Sequence, residues 1–401
     1  MTTASASFQL DHSRDDHVRR GAAPAPRWIV GPVVDVACFL LPAISGYVII
    51  YLNAVVGISS FLLWWFWNVS VNGPHFFATI SRTYLDADEW RRRGGLLLGS
   101  LGFVFLGPLA IASSIALRTR TPFIVFWLFQ AVWAYYHVIR QHYGFMALYQ
   151  KRSGEPVGRD NPADFWSFNF LMLVPALIWF VQYPVLRDAL GLRARVSAAE
   201  GGLVGALAAS LLAVAVAFVA KELVRAREGR MNVPKCLLLL AYVPLHAFLF
   251  LYPAVAHRYD LLLVNAVVTY PHSVQYMGIV WFHNRNRYAA DAEGGGHDLA
   301  HYASRTVFRF LGCALVFGLV FFYLDWYLEG RAVPFAPGYF RRAQLPLGQG
   351  FTVSDLIAVT WLGFIFNHYY LDQKIWRIRT DTRLNRDLGL AVRGPAVPVA
   401  S

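Results

Sequence analysis

The chain is poor in charge. Of its 401 residues only 15% are Asp, Glu, Lys or Arg, against roughly 25% in an average soluble domain. That deficit excludes an ordinary water-soluble globule. Cysteine is equally scarce: Cys38, Cys236 and Cys313 are the only three, each sits in an apolar run, and no two stand in a CxxC spacing. A disulfide framework and a thiolate metal site are therefore excluded. Lysine is nearly absent, so Arg carries almost all of the positive charge. No Walker A motif, GxGxxG turn or nucleophile-elbow serine occurs, which removes a phosphate loop, a dinucleotide fold and a serine hydrolase. The first ~30 residues hold Arg14, Arg19, Arg20 and Arg27 without an apolar core, so no cleaved signal peptide is expected.

What is present is apolar. Hydrophobic residues make up 57% of the chain and aromatic residues 16%. Runs of about 18 or more apolar residues read as transmembrane helices. Ten are expected: Val33–Val55, Ile58–Ile80, Leu96–Leu117, Pro122–Leu148, Phe165–Val185, Gly202–Ala220, Val233–Val255, Tyr259–Phe282, Val307–Leu328 and Val353–Tyr370. The fourth, eighth and tenth are expected to continue as helix past the lipid. With the N-terminus inside, 25 of the 36 Lys and Arg fall on the inner side, nine fall outside, and Arg140 and Arg309 lie within spans. This is a strong positive-inside bias. It accounts for the net charge of +12 without nucleic acid. The expected fold class is all-α: a polytopic transmembrane bundle of about ten helices with both termini cytoplasmic. Residues 31–379 form one transmembrane domain, between a disordered tail at 1–30 and a cytoplasmic tail at 380–401, also expected to be disordered. The excess of Arg over Lys fits a GC-rich bacterial genome, and hence a bacterial inner membrane.

The histidines fall in a pattern on this frame. His75, His137, His142, His272, His283 and His368 all lie on the inner halves of spans that run from outside to inside. Ionisable groups inside a membrane usually face the bundle interior and mark a site, and imidazole is a common metal ligand. Positions i and i+4 share a helix face. His137 therefore shares one with Gln141, His272 with Tyr276, His75 with Thr79 and roughly Arg82, and His368 with Asp372. The last is a pair that could offer nitrogen and oxygen to one metal. His142 lies about 140° round the helix from His137, so both join one centre only on an irregular helix. His283 is roughly 16 Å along the axis from His272, too far to share its metal. The expected metal ligands are His75, His137, His142, His272, His368 and Asp372. Tyr136 and Tyr276 are the expected catalytic tyrosines, and Tyr369 could also orient a ligand through a hydrogen bond. Arg140 reads as an interfacial anchor or as the partner of a carboxylate such as Asp372. "HDLAH" places His297 and His301 at a zinc-type spacing in a loop. His246, beside Pro244, reads as a core histidine.

Two resemblances follow from these residues. "HVIRQH" (His137 to His142) resembles the first H-x4-H box of membrane fatty-acid desaturases and hydroxylases, and "HDLAH" is faintly similar to another box. The layout, with a few His scattered over several spans, is similar to the Brp/Blh family of carotene-cleaving oxygenases. Neither the HxxHH boxes of the first family nor the His-Gly-x-x-Asp element of the second is in the sequence. The resemblance implies non-haem iron, an apolar lipid, isoprenoid or carotenoid-like substrate taken from the bilayer, and an electron-donor protein as partner. Two other classes fit the same residues. One is a proton-coupled transporter using the His/Asp/Arg cluster as a relay. The other is a haem protein with two axial His.

Overall fold

The computed structural model describes residues 27–182, 197–252, 255, 261–290, 299–330 and 341–390. Over these the chain is almost entirely helical. Seven helices are long and apolar enough to cross a membrane. They are α1 (Pro32–Ala54), α4 (Ala87–Ala116), α5 (Thr121–Arg152), α6 (Pro162–Gln182), α7 (Ser197–Arg227), α8 (Val233–Leu251) and α11 (Val307–Glu329). Three other expected spans are helical too: α2 (Ser60–Trp67) with α3 (Gly73–Arg82), α9 (Leu261–Ala290) and α12 (Val353–Ile375). They fall outside the apolar set because they carry the polar residues of the interior, among them His75, His272 and His368. Short helices α10 (Leu299–Ser304) and α13 (Thr382–Asp387), single 3₁₀ turns at Gly158–Asp160 and Arg341–Gln344, and a two-stranded hairpin, β1 (Pro346–Gly348) and β2 (Phe351–Thr352), lie between or after the long helices.

Local chemistry places the helix ends. The Thr306 side chain caps α11 by accepting from Arg309 N, and Gly330 ends it with φ 71°, a conformation that suits glycine. A capping box between Thr352 and Asp355 starts α12. Between α2 and α3 lies a π-helical turn, Asn68–Asn72, in which Gly73 N–H reaches back to Asn68 O. Pro74 follows. It has no N–H and would clash with a carbonyl four residues back in a regular helix. The widened turn relieves that clash and sets the rotation at which His75 enters the interior.

Close helix contacts hold the same region. A Cβ on Gly73 would lie 2.3 Å from Gly318 Cα, and one on Gly363 would lie 2.3 Å from Val104 Cα. Only glycine permits backbones this near. These contacts press α3 against α11 and α12 against α4.

One end of α6, α7 and α8 carries a lattice of charge. Lys235, fully buried, reaches Glu222 (2.9 Å), Asp164 (3.1 Å) and Glu155 (3.5 Å). Lys221 pairs with Asp164 and Glu222, and Arg225 with Glu155 (3.0 Å). Beside it the chain folds back after α12. Asp381 accepts from Leu384 N (3.1 Å) and from Arg92 (2.9 Å) and Arg93 (2.8 Å). Leu384 and Leu388 are buried, and Arg152 donates to the carbonyls of Gly389, Leu388 and Ile29. The expected disorder from about Thr380 is thus corrected for residues 381–390: two leucines that find a hydrophobic seat and an aspartate with two arginines make a folded segment. The expected tail at residues 1–26, and residues 391–401, lie outside the described residues.

Candidate metal centre

Four helices deliver one imidazole each to a single point. His75 on α3, His137 on α5, His272 on α9 and His368 on α12 each offer a ring nitrogen, and these atoms all lie within 4.8 Å of one another. All four residues are buried. Ligands about 2.1 Å from one metal stand roughly 3–4 Å apart, so the spacing fits a shared ion. His75 Nε2 and His368 Nε2 approach to 2.6 Å.

Hydrogen bonds behind the His368 ring hold it in place. Tyr276 donates its hydroxyl to Asp372 Oδ1 (2.5 Å). Thr79 Oγ1 lies 2.6 Å from His368 Nδ1, 2.9 Å from the Tyr276 hydroxyl and 3.3 Å from Asp372 Oδ1. His368 Nε2 is left facing His75. A carboxylate that orients a ligating imidazole in this way is a common device of metal sites. The other oxygen, Asp372 Oδ2, lies 3.6 Å from His368 Nε2 and 3.8 Å from His137 Nε2. The His137 ring stacks on Tyr369 at 4.4 Å and 26°. The chemical sense of the set is four neutral imidazoles with one carboxylate oxygen at their edge, a donor set that suits iron, zinc, copper or nickel.

The remaining expected residues fall elsewhere. His142 turns away from the four, as an ideal helix predicts. Its Nδ1 lies 2.8 Å from Gln275 Oε1, and its ring packs on Tyr242 at 4.1 Å. Gln141 braces α5 to α9 by donating to His272 O (2.7 Å). His283 lies apart, 3.6 Å from Asp387 and 5.9 Å in ring distance from Trp376. Arg140 does not reach Asp372; its guanidinium lies over the rings of Tyr143 and Phe165. Arg82 donates to Ile375 O and sits 3.6 Å over Trp376. His246 is buried with its Nδ1 2.9 Å from the Tyr135 hydroxyl. Tyr136 is 42% exposed on the wall of the cavity described below, not against a ring of the cluster. His301 packs near Tyr288, while His297 lies outside the described residues.

A cavity of about 800 Å³ reaches the four histidines. Aromatic and aliphatic side chains dominate its walls, among them Trp64, Trp67, Trp326, Leu177 and Phe250. Ligand sites of this kind typically enclose roughly 300–1,000 Å³. Its lining also includes Asn68, Asn72, Ser273, Asp325 and Glu329. No protein-family model, curated protein or solved structure matches this chain. The site therefore has to be read from its own geometry.

Sequence reading missed the polar wall of the cavity. Asn68 and Asn72, and Asp325 and Glu329, are both i,i+4 pairs inside apolar stretches. That spacing was the available signal, because a polar pair on one face of a membrane helix needs an interior to face.

Proposed function

We propose that this chain is an integral membrane, metal-dependent oxidoreductase. It holds non-haem iron on His75, His137, His272 and His368 and acts on an apolar lipid, isoprenoid or carotenoid-like substrate. One observation carries the reading: four imidazoles from four helices converge where a large, mainly apolar cavity ends. In this reading the chain crosses a bacterial inner membrane ten times with both termini in the cytoplasm. The charge bias of the loops supports that topology, as does the helical state of all ten expected stretches over their described residues.

A bound iron would supply one-electron and Lewis-acid chemistry at the end of the cavity. The chain's own residues do the rest. Thr79, Tyr276 and Asp372 hold the His368 ring in one orientation. Tyr369 backs the His137 ring. The aromatic wall admits an apolar molecule from the bilayer and keeps water out. Reducing equivalents come from a donor protein at the arginine-rich cytoplasmic side. The transporter reading lacks support for a relay through Arg140, which faces aromatic rings. Four donor atoms within 4.8 Å, two of them 2.6 Å apart, leave no slot for a porphyrin between axial histidines.

Metal analysis and an optical spectrum of detergent-purified protein test the proposal. Roughly one iron per chain and no Soret band are expected, since ligand sets of this kind bind metal in the folded state. Ala at His75, His137, His272 or His368 should each strip the metal while leaving helix content unchanged. A wild type that takes up no iron on reconstitution, or four Ala variants that all keep it, ends the idea.

A further inference from the structure

On the cavity wall Trp67 Nε1, Ser273 Oγ and Trp361 Nε1 stand without partners among the described residues, and an acceptor on the π-helical turn joins them. On the π-helical turn, Asn68 Nδ2 donates to Trp64 O (3.0 Å), a group that can only accept. Asn68 Oδ1 therefore faces Asn72 and accepts from its Nδ2 (2.9 Å). What remains of the ladder is Asn72 Oδ1, which has no donor among the described residues. The residue is only 9% exposed and lines the cavity. An acceptor so placed is open to a donor on whatever fills the cavity.

Its place is set by two registers. Asn72 precedes His75 by three residues, on a shared face and about 4.5 Å along the axis. Gly73 touches Gly318, and α11 runs antiparallel to α2 and α3, since Phe77 meets Phe310 while Trp64 meets Trp326. Asp325 is seven residues past Gly318, so it stands about 10 Å from that crossing toward the start of α2. Glu329 follows one turn on. Both are buried. From His75 outward, this wall presents an imidazole, the Asn72 amide oxygen and then the Asp325 and Glu329 side chains, set among aromatic rings.

We propose that Asn72 is the specificity residue of this cavity. Its Oδ1 accepts a hydrogen bond from a hydroxyl on an otherwise apolar substrate and so holds the carbons next to that hydroxyl beside the four histidines. This rests on the reading of the cavity as the substrate site. A hydrocarbon would bury the amide oxygen unpaired. A carboxylate would bring a second acceptor against Asn72 Oδ1. A hydroxyl supplies the missing donor without a charge.

The experiment is displacement of diphenylhexatriene, an apolar probe that accepts excitation from the tryptophans of the cavity. As-purified full-length protein in nanodiscs is titrated with four C20 compounds of one skeleton: phytane, phytanol, phytanic acid and phytanylamine. Phytanol should displace the probe at roughly 5- to 10-fold lower concentration than phytane or phytanic acid, the worth of one or two neutral hydrogen bonds. Asn72→Leu should erase the preference for phytanol over phytane while leaving phytane unchanged. Asn72→Asp, a second variant should the first not fold, should keep phytanol ahead of phytane and weaken phytanic acid further. Equal displacement by phytanol and phytane in the wild type, or a preference that survives Asn72→Leu, overturns the assignment. So does a phytanylamine that outcompetes phytanol and loses its lead in Asp325→Asn. Metal is counted on the same samples. A hydroxyl preference without iron would leave this inference standing and remove the oxidoreductase reading; iron without the preference would do the reverse.

Discussion

Two buried polar assemblies stand in this bundle, and they are built on opposite principles. In the lattice of α6, α7 and α8, three acids (Glu155, Asp164, Glu222) face three bases (Lys221, Arg225, Lys235), and every charge has an opposite neighbour. In the cluster of α3, α5, α9 and α12, four imidazoles point at one another with a single carboxylate beside them. The first assembly answers each charge with an opposite one. The second leaves His137 Nε2 and His272 Nδ1 without partners among the described residues, next to a cavity. A closed network of charge clamps helices together. An open set of donor atoms, rigidly held, is a place for something else to bind.

The contrast can be broken from either side. Lys235→Ala should have the largest effect on stability. It leaves Asp164 and Glu222 short of a buried partner, and removal of one member of a buried ion pair costs about 3–5 kcal/mol. Denaturant unfolding in detergent should record that loss, while the residual folded protein keeps its metal. A Lys235→Ala protein as stable as wild type would show the lattice to be dispensable. Thr79→Val acts on the other assembly. It removes the hydroxyl behind His368 without touching a ligand, and metal affinity should fall about 10- to 100-fold with stability nearly unchanged. Unaltered affinity in a metal-competition titration would remove Thr79 and Asp372 from the support of the site.

The smallest effect belongs to the clasp at Asp381. Burial alone would raise its carboxyl, but Leu384 N–H and the guanidiniums of Arg92 and Arg93 outweigh it and hold the group below the usual Asp value. A depressed folded value means stabilisation that is present above the unfolded pKa of about 3.9 and is lost as pH falls through the folded value. Protection of residues 381–390 against hydrogen exchange, taken relative to the intrinsic rate at each pH, should therefore stay constant from about pH 8 to pH 5 and fall only in stronger acid. Because the pair is partly exposed, Asp381→Ala should cost no more than about 1 kcal/mol. A loss of protection near neutral pH would place the clasp's control on another group.

How much of this was legible in the chain differs by level. The helices were, because membrane helices declare themselves by runs of apolar side chains and need no partner to be recognised. The level of the cluster was legible as well: His75, His137, His272 and His368 were visible as polar groups at like depth on separate runs. Helix periodicity set His283 apart from them, but the expectation of His142 as a ligand is corrected: a regular helix turns it from His137 onto Gln275 and Tyr242. Other features were not legible. The Thr79–Tyr276–Asp372 brace and the two-arginine hold on Asp381 join residues far apart in the chain, and the π-helical turn that rotates His75 inward is a local irregularity that a regular helical period does not show.

The sequence by itself therefore determined that the protein is a helical membrane bundle, and which polar side chains had to find an interior, because hydropathy and helical period act along a few turns. Only the tertiary structure decided that four of those histidines meet, that Arg140 does not join them, and that Asn72 opens an acceptor onto the same cavity. Those outcomes depend on which faces pack together. That is set by contacts such as Gly73 on Gly318 and Gly363 on Val104, between residues more than two hundred positions apart.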